Sequence, residues 1–276
     1  MNHLKLYSYQ QHLEQKGYAK NTIEQYMYCM SLLKRNGITE DSSSAEIQYV
    51  IYSLGKSESS RGVYLAAITE YENEIMKKKE GLLKGSIRYQ CVQASRTKKT
   101  GIEPARSEKS YRTIIGSAKD RKIKLSLLLQ IESGLRVSEI SNLCKKDITL
   151  RKGNIWLYVA PGKTNESRYV KVLKNQKLYK ELEEYLKNYE DDSKVFANDE
   201  VLKLYLVERG GRSHDLRRYN ARKRYIMHRK AGKGKRESAE LVGKQLGHSD
   251  IENTKPYLGE VYRNDKGGKW KDEVSG

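Results

Sequence analysis

The chain has 276 residues and carries 54 Lys and Arg against 35 Asp and Glu, a net charge of +19. That length allows one large domain or two smaller ones with ample core, and the charge attracts polyanions, either nucleic acid or an anionic membrane. A membrane role has no support: LSLLLQI (125–131) is too short to span a bilayer, and the N-terminal MNHLKLYSYQQ lacks the apolar centre of a secretory signal.

The first 85 residues read as four helices. MNHLKLYSYQQHLEQKG is the first, ended by Gly17. In the second, Thr22 and Gln25 fit a capping box. Ile23, Tyr26, Met27, Met30 and Leu33 then form one apolar stripe, and Gly37 is the stop. Ser43 and Glu46 cap the third helix, which buries Ile47, Val50, Ile51 and Leu54. The fourth carries Tyr64, Ala67, Ile68, Tyr71 and Ile75 and runs out in KKKEG. Residues 86–108 are polar and basic without a period. They read as a linker between a domain at 1–85 and a second at 109–276.

Two helices, near 109–118 and 121–132, open the second domain. Gly134 is their C-cap and a short helix follows in GLRVSEISNL. NIWLYV (154–159) and RYVKV (168–172) read as two strands joined by APGKTNES. A helix over about 175–189 repeats Leu178, Leu182, Tyr185, Leu186 and Tyr189. HDLRRYNARKRYIMHRK is a strongly basic helix, interrupted by GKGK, and ESAELVGKQLG is another. SDIENTKPYL starts a last one, with Ser249 and Glu252 in capping-box positions, and a polar tail at 261–276 follows. The fold class is mainly α with a small β-hairpin.

Three widely spaced cysteines, Cys29, Cys91 and Cys144, make neither a disulfide framework nor a zinc pattern and fit a reducing, cytoplasmic setting. No HxH, HExxH or Cys/His cluster suggests a metal. GKGK near 232–235 lacks the frame of a phosphate-binding loop, so neither metal nor ATP is expected as a cofactor. What remains is a set of cations, imidazoles and one phenol: Arg136 in GLRVSE, Lys163 in GKTN, His214 and Arg217 on one helical face, His248 after a helix-stopping Gly, and Tyr257 nine residues later. Singly, each has an ordinary explanation: a surface arginine, a solvated hairpin lysine, a satisfied core histidine.

Together they meet one chemical need. A phosphodiester attacked without metal must have its developing charge met by fixed cations, and two arginines supply planar forks that match phosphate oxygens. A histidine can take the nucleophile's proton or hold an oxygen. A lysine can protonate a leaving 5′ oxygen. A phenol, with an ordinary pKa near 10, leaves more easily than an alcohol, so its phosphoester can be reversed by a DNA hydroxyl.

The words GLRVSE, GKTNESRYV, HDLRR and LGHSD, with Tyr257 after them, stand in the order found in the catalytic domain of the tyrosine recombinase family, the phage integrases and Xer-type recombinases. The chain resembles that family over about residues 1–260, its four-helix region being similar to the SAM-like core-binding domain. The resemblance implies a helical core-binding domain followed by an α+β catalytic domain, together clamping double-stranded DNA at specific sites. It implies Arg136, Lys163, His214, Arg217, His248 and Tyr257 in the active site and a 3′-phosphotyrosine intermediate. It further implies a homotetramer on paired sites, passage through a Holliday junction, and a cytoplasmic, nucleoid-associated protein.

Three departures stand out. The stretch around YIMHRKAGKGKRES is extra and basic, and is expected to reach DNA as a phosphate-binding loop, with Arg218, Arg222, Lys223, Lys233, Lys235 and Arg236 as DNA contacts. Glu166 stands where the family often has a further lysine. Pro256 puts the tyrosine on a first helical turn or in a loop. A mobile nucleophile segment of that kind suits activity switched between protomers, and the tail is expected to dock on a neighbouring protomer through Val261, Tyr262 or Trp270 or else to fray. No separate arm-binding domain precedes the four helices, which favours a simple-site recombinase. Two alternatives stay open: a type IB topoisomerase-like enzyme, which shares the chemistry but does not join two duplexes, and a non-catalytic DNA-binding relative.

Overall fold

The computed structural model describes residues 3–55, 57–77, 103–161 and 167–267. The chain divides into two compact units, Met1–Lys98 and Lys99–Gly276.

The first unit holds α1 (Leu6–Gln15), α2 (Lys20–Arg35), α3 (Ser44–Leu54) and α4 (Glu58–Glu74). Their apolar stripes converge on Tyr9, Leu13, Met30, Leu33, Ile47, Ile51, Ala67, Ile68 and Tyr71. The buried phenols are satisfied: Tyr9 donates to the Ala67 carbonyl at 2.7 Å and Tyr71 to Glu40 at 2.6 Å. Ser43 and Glu46 form the expected reciprocal cap of α3. The box expected at Thr22 and Gln25 does not form. Helix α2 begins earlier, with Ala19 as its N-cap and the Thr22 N–H already bonded to the Ala19 carbonyl. Helix α4 stops at Glu74, short of the expected lysine run, most of which lies outside the described residues.

The second unit is built around α6 (Arg121–Ser133), which is buried along most of its length. Around it pack α5 (Glu108–Gly116), α7 (Val137–Asn142), α8 (Gln176–Leu186), α9 (Asp199–Val207) and α10 (Ser213–Lys230). An antiparallel sheet in the order β1 (Ile148–Arg151), β2 (Asn154–Val159), β3 (Arg168–Lys171) turns Ile155, Leu157, Val159 and Val170 to the same core. Strand β1 and helix α9 are additions to the expected elements. The β1–β2 turn is Lys152–Gly153, both at positive φ, as a type I′ hairpin turn requires. The stretch expected as linker is not all spacer. Ala105 N–H donates to Asp215 at 2.8 Å, Tyr219 O–H to the Arg106 carbonyl at 2.6 Å, and Ser107 caps α5.

The C-terminal part is α11 (Lys235–Leu246), a 3₁₀ turn (Ile251–Asn253), α12 (Lys255–Leu258) and α13 (Glu260–Arg263). Ala221, Tyr225, Ala239, Val242, Leu246 and Leu258 form a small core of their own, with Tyr257, Val261 and Tyr262 packed against it. Among the described residues no helix is long and apolar enough to cross a membrane.

Candidate active site

Helix ends and the turns between them aim the side chains. After α6, Gly134 turns at φ +76 with no room for a Cβ, which would fall 2.5 Å from the Asn220 amide oxygen; two residues later Arg136 is the N-cap of α7. Helix α10 opens at Ser213, so His214 and Arg217, three apart, share one face of its start. Helix α11 closes with Gly247 at φ +68 and the His248 N–H on the Gly243 carbonyl, a Schellman turn that fixes His248 two residues past the helix. The following turn is capped by Asp250, which accepts from Glu252 N–H, and not by the expected Ser249 and Glu252 pair. Pro256 sits in the first turn of α12, where a missing N–H costs nothing, and Tyr257 follows it.

These turns bring Arg136, His214, Arg217, His248 and Tyr257 together. Lys163 lies in 162–166, outside the described residues. Arg217 is 1% exposed and donates to the Gly134 carbonyl at 2.6 Å, the Leu246 carbonyl at 2.5 Å and His248 Nε2 at 3.1 Å. A guanidinium cannot accept, so Nε2 carries the lone pair and Nδ1–H of His248 donates to Thr254 Oγ1 at 3.0 Å. Burial and the neighbouring Arg217, Arg136 and Arg168 charges push His248 down to about 4, which keeps that tautomer neutral. The Tyr257 ring lies 5.4 Å from the Arg217 guanidinium and 5.2 Å from the His248 ring. Its hydroxyl is 3.4 Å from His214 Nδ1. Burial, then Arg218, Arg217 and Arg136, lower the His214 pKa. A neutral imidazole at that distance can accept a phenol's proton.

A carboxylate organises the cations. Glu139 accepts from Arg136 N–H at 2.7 Å, Arg136 Nη1 at 2.9 Å and Arg168 Nη2 at 3.0 Å, with Arg217 Nη1 at 3.9 Å. Burial pushes the Glu139 carboxyl up, but Arg168 and these other donors outweigh it and hold it below the ordinary range. Arg168 reaches across from β3 and also donates to the Gln245 carbonyl at 3.0 Å. Burial, then the Arg136 charge, pushes Arg217 down to about 10, which leaves it charged at neutral pH.

A family model described as "Phage integrase family" matches residues 106–263, more than half of the chain. The chain belongs to the phage integrase family. Tyrosine recombinase XerA of Pyrococcus horikoshii is 29% identical over 183 residues, 66% of this chain and 60% of that protein. Its namesake from Pyrococcus furiosus is 30% identical over 186 residues with the same shares. The chain thus spans 60% of the length of the curated relatives it matches. Among solved structures it is similar to a lambda integrase dimer bound to a COC′ core site, with TM-score 0.65, 16% identity, 89% of this chain and 94% of that one covered. It is also similar to XerH recombinase bound to a palindromic difH substrate in a post-cleavage complex, with TM-score 0.66, 17% identity and coverage of 91% and 80%. The likeness to these two shows a shared fold.

Within this integrase-family unit, Glu139, Arg168 and Thr254 were not singled out in the sequence. The first two sit inside the words GLRVSE and GKTNESRYV; the available signal for Glu139 was its place three residues after Arg136, while Arg168 meets Glu139 only across 29 positions. The basic stretch expected as a DNA-binding loop is mostly helix, since α10 runs to Lys230 and α11 starts at Lys235. Several of its cations are engaged within the fold. Arg218 pairs with Asp215 at 2.5 Å, and Arg222 with Glu103 at 2.9 Å. Lys233 pairs with Glu237 at 2.6 Å, and Arg236 with Glu240 at 2.8 Å. Lys235 donates to the Asp265 carbonyl at 2.6 Å. Lys223 is exposed. Two cations of the same helix are inside: Arg224 is 6% exposed, and Arg229 clasps Asp265 at 2.6 Å. The tail begins docked on its own unit through Val261, Tyr262 and Asp265, while Trp270 lies outside the described residues. In the first unit, His12, Glu70 and Glu74 bring ligand atoms within 4.8 Å of one another, a geometry that could hold a cation; Lys16 Nζ lies 2.8 Å from Glu74 and 3.2 Å from Glu70.

Proposed function

We propose that the chain is a site-specific DNA recombinase that cuts and rejoins strands through a 3′-phosphotyrosine on Tyr257. The observation that carries this is the Tyr257 hydroxyl 3.4 Å from a neutral His214, beside the buried Arg217 guanidinium. Family membership supports it. The Tyr257 oxygen attacks the phosphorus as His214 takes its proton, and the bond to the 5′ oxygen breaks. Lys163 gives that oxygen a proton. Arg136 and Arg217 meet the charge on the non-bridging oxygens, Arg217 pre-oriented by its two carbonyl acceptors and by His248. One ester replaces another, so the 5′ hydroxyl of a partner strand can run the step backwards and join two duplexes.

The substrate is double-stranded DNA with specific sites, and the assembly is a homotetramer on paired sites passing through a Holliday junction. The protein acts on DNA in the cytoplasm, at the nucleoid. Similarity to a lambda integrase tetramer bound to a Holliday junction, with TM-score 0.65, supports the fold this needs. The catalytic domain extends to the tail, with the helical core-binding domain before it. A library of nicked duplexes with randomised sequence tests the reading: each short 5′ fragment diffuses away after cleavage and traps the covalent protein. Denaturant-resistant adducts formed in EDTA without ATP, whose attached DNA converges on one sequence, are expected. No adduct from wild-type protein overturns it. Failure of the selected duplexes to join in pairs favours the topoisomerase-like alternative.

A further inference from the structure

The nucleophile turn has a second set of contacts, made through its backbone. Arg222, on α10, donates through Nε to the Tyr257 carbonyl at 3.3 Å and through Nη2 to Glu103 Oε2 at 2.9 Å. Arg222 is largely buried, its side chain 15% exposed. Glu103 is tied down in turn, since its carbonyl accepts from Arg212 Nη2 at 3.0 Å and its carboxylate lies 3.9 Å from Arg263, beyond the tyrosine. The pair packs so closely on the chain that a Cβ at Gly259, two residues past Tyr257, would fall 2.9 Å from Glu103 Oε1 and closer still to Arg222. Gly259 also has φ +56 with ψ −131, a backbone conformation natural to glycine. A carboxylate 154 positions upstream of Tyr257 (103 to 257) therefore braces the turn that carries the hydroxyl.

We propose that Glu103, acting through Arg222, is a positioning residue for the Tyr257 nucleophile, a role that rests on the cleavage reading above. Arg222 alone is a long side chain with a single carbonyl to hold. With Glu103 on its other end it is fixed at both, and α12 cannot slide along α10 without breaking one contact or the other. The pair sets where the hydroxyl sits relative to His214. It touches no reacting atom, so its loss should slow attack and leave duplex affinity alone.

Two measurements on the full-length chain test this. The first needs no DNA. Hydrogen exchange of the Tyr257, Leu258 and Gly259 amides, bonded to the Thr254 and Lys255 carbonyls, should speed up roughly tenfold in Glu103→Ala, with α11 amides unchanged. The second uses the nicked duplex recovered from the library. Glu103→Ala and Arg222→Ala should each slow single-turnover adduct formation on the order of ten- to a hundredfold at saturating duplex. The double variant should be no slower than the worse single one, and Glu103→Gln, which keeps an acceptor for Arg222, should lose less of the rate than Glu103→Ala. Wild-type cleavage speed in Glu103→Ala, or loss of duplex affinity in Arg222→Ala without any effect of Glu103→Ala, overturns the proposal and leaves the recombinase reading standing. Absence of any wild-type adduct removes the recombinase reading instead, and the exchange experiment then decides whether the brace exists.

Discussion

Replacing Glu139 with alanine tests the account of how the cations are assembled. Glu139 is the shared acceptor of Arg136 and Arg168 and lies 3.9 Å from Arg217, its own side chain 15% exposed. Removing it orphans the Arg136 N–H at the start of α7 and leaves three guanidinium groups facing one another. Breaking a fully buried pair costs about 3–5 kcal/mol. Arg136 is 37% exposed and its share is screened, so the low end, about 3 kcal/mol, is expected. For a unit of this size that lowers the melting temperature by roughly 6–12 °C. Glu139→Gln keeps an acceptor for the Arg136 N–H and should lose about half as much. Both variants should cut adduct formation more than they cut duplex affinity, because Arg136 loses its orientation and not its charge. The assays are thermal melts of the full chain and single-turnover cleavage of the selected nicked duplex. A Glu139→Ala protein within about 0.5 kcal/mol of wild type, with unaltered cleavage, would refute the assigned organising role.

The remaining expectations concern pH, the tail, the leaving group and salt. His248 in the fold is at about 4 against an ordinary value near 6.5. Between those values the unfolded chain binds a proton that the folded chain refuses, so stability should rise with pH across that window and the slope should shrink in His248→Gln. Asp265, held at about 2 where Arg229, Tyr225 and the Gly267 N–H outweigh burial, behaves likewise: its contribution is present above about 4 and is lost as pH falls towards 2. Asp265→Asn should destabilise the unit by about 3 kcal/mol, read by melting. Lys163→Ala should be rescued in part by a substrate whose leaving group is a 5′ thiolate, which needs no proton; no rescue would remove Lys163 as the acid. Duplex affinity should fall steeply across a salt titration through counterion release, and a flat dependence would contradict a clamp on the phosphate backbone.

The sequence carried the cations, imidazoles and phenol because their chemistry is written in short words with fixed turns: a left-handed glycine before Arg136 and another before His248. What it hid were partners far apart along the chain. Arg229 lies in the basic stretch expected to reach DNA, yet Asp265, 36 residues later, holds it. Arg224 belongs to a helix legible only as strongly basic, yet its guanidinium serves the Lys171 and Glu132 carbonyls inside the unit. Charge is legible from composition, but whether a charge is already answered is a tertiary fact. Two expected caps failed for a local reason: Ala19 starts α2 three residues before Thr22, and Asp250 caps the 3₁₀ turn one residue after Ser249. Strand β1 was missed because four residues and a Lys–Gly turn give little signal, and α9 because it is only nine residues long, although Asn198 caps it with Asp199 and Glu200 in its first turn.

The central claim is that Tyr257 and no other tyrosine bonds to DNA. Tyr262, five residues on, is the nearest rival, but its ring packs against Tyr225 at 5.8 Å, in the small C-terminal core. The direct measurement is peptide mass mapping of the adduct trapped on the nicked duplex, alongside Tyr257→Phe, which keeps the ring and its packing and removes only the attacking oxygen. The account predicts DNA on the peptide containing Tyr257, and a Tyr257→Phe protein that binds duplex nearly normally and forms no adduct. DNA found on Tyr262 or any other residue, or an adduct that survives Tyr257→Phe, would contradict it.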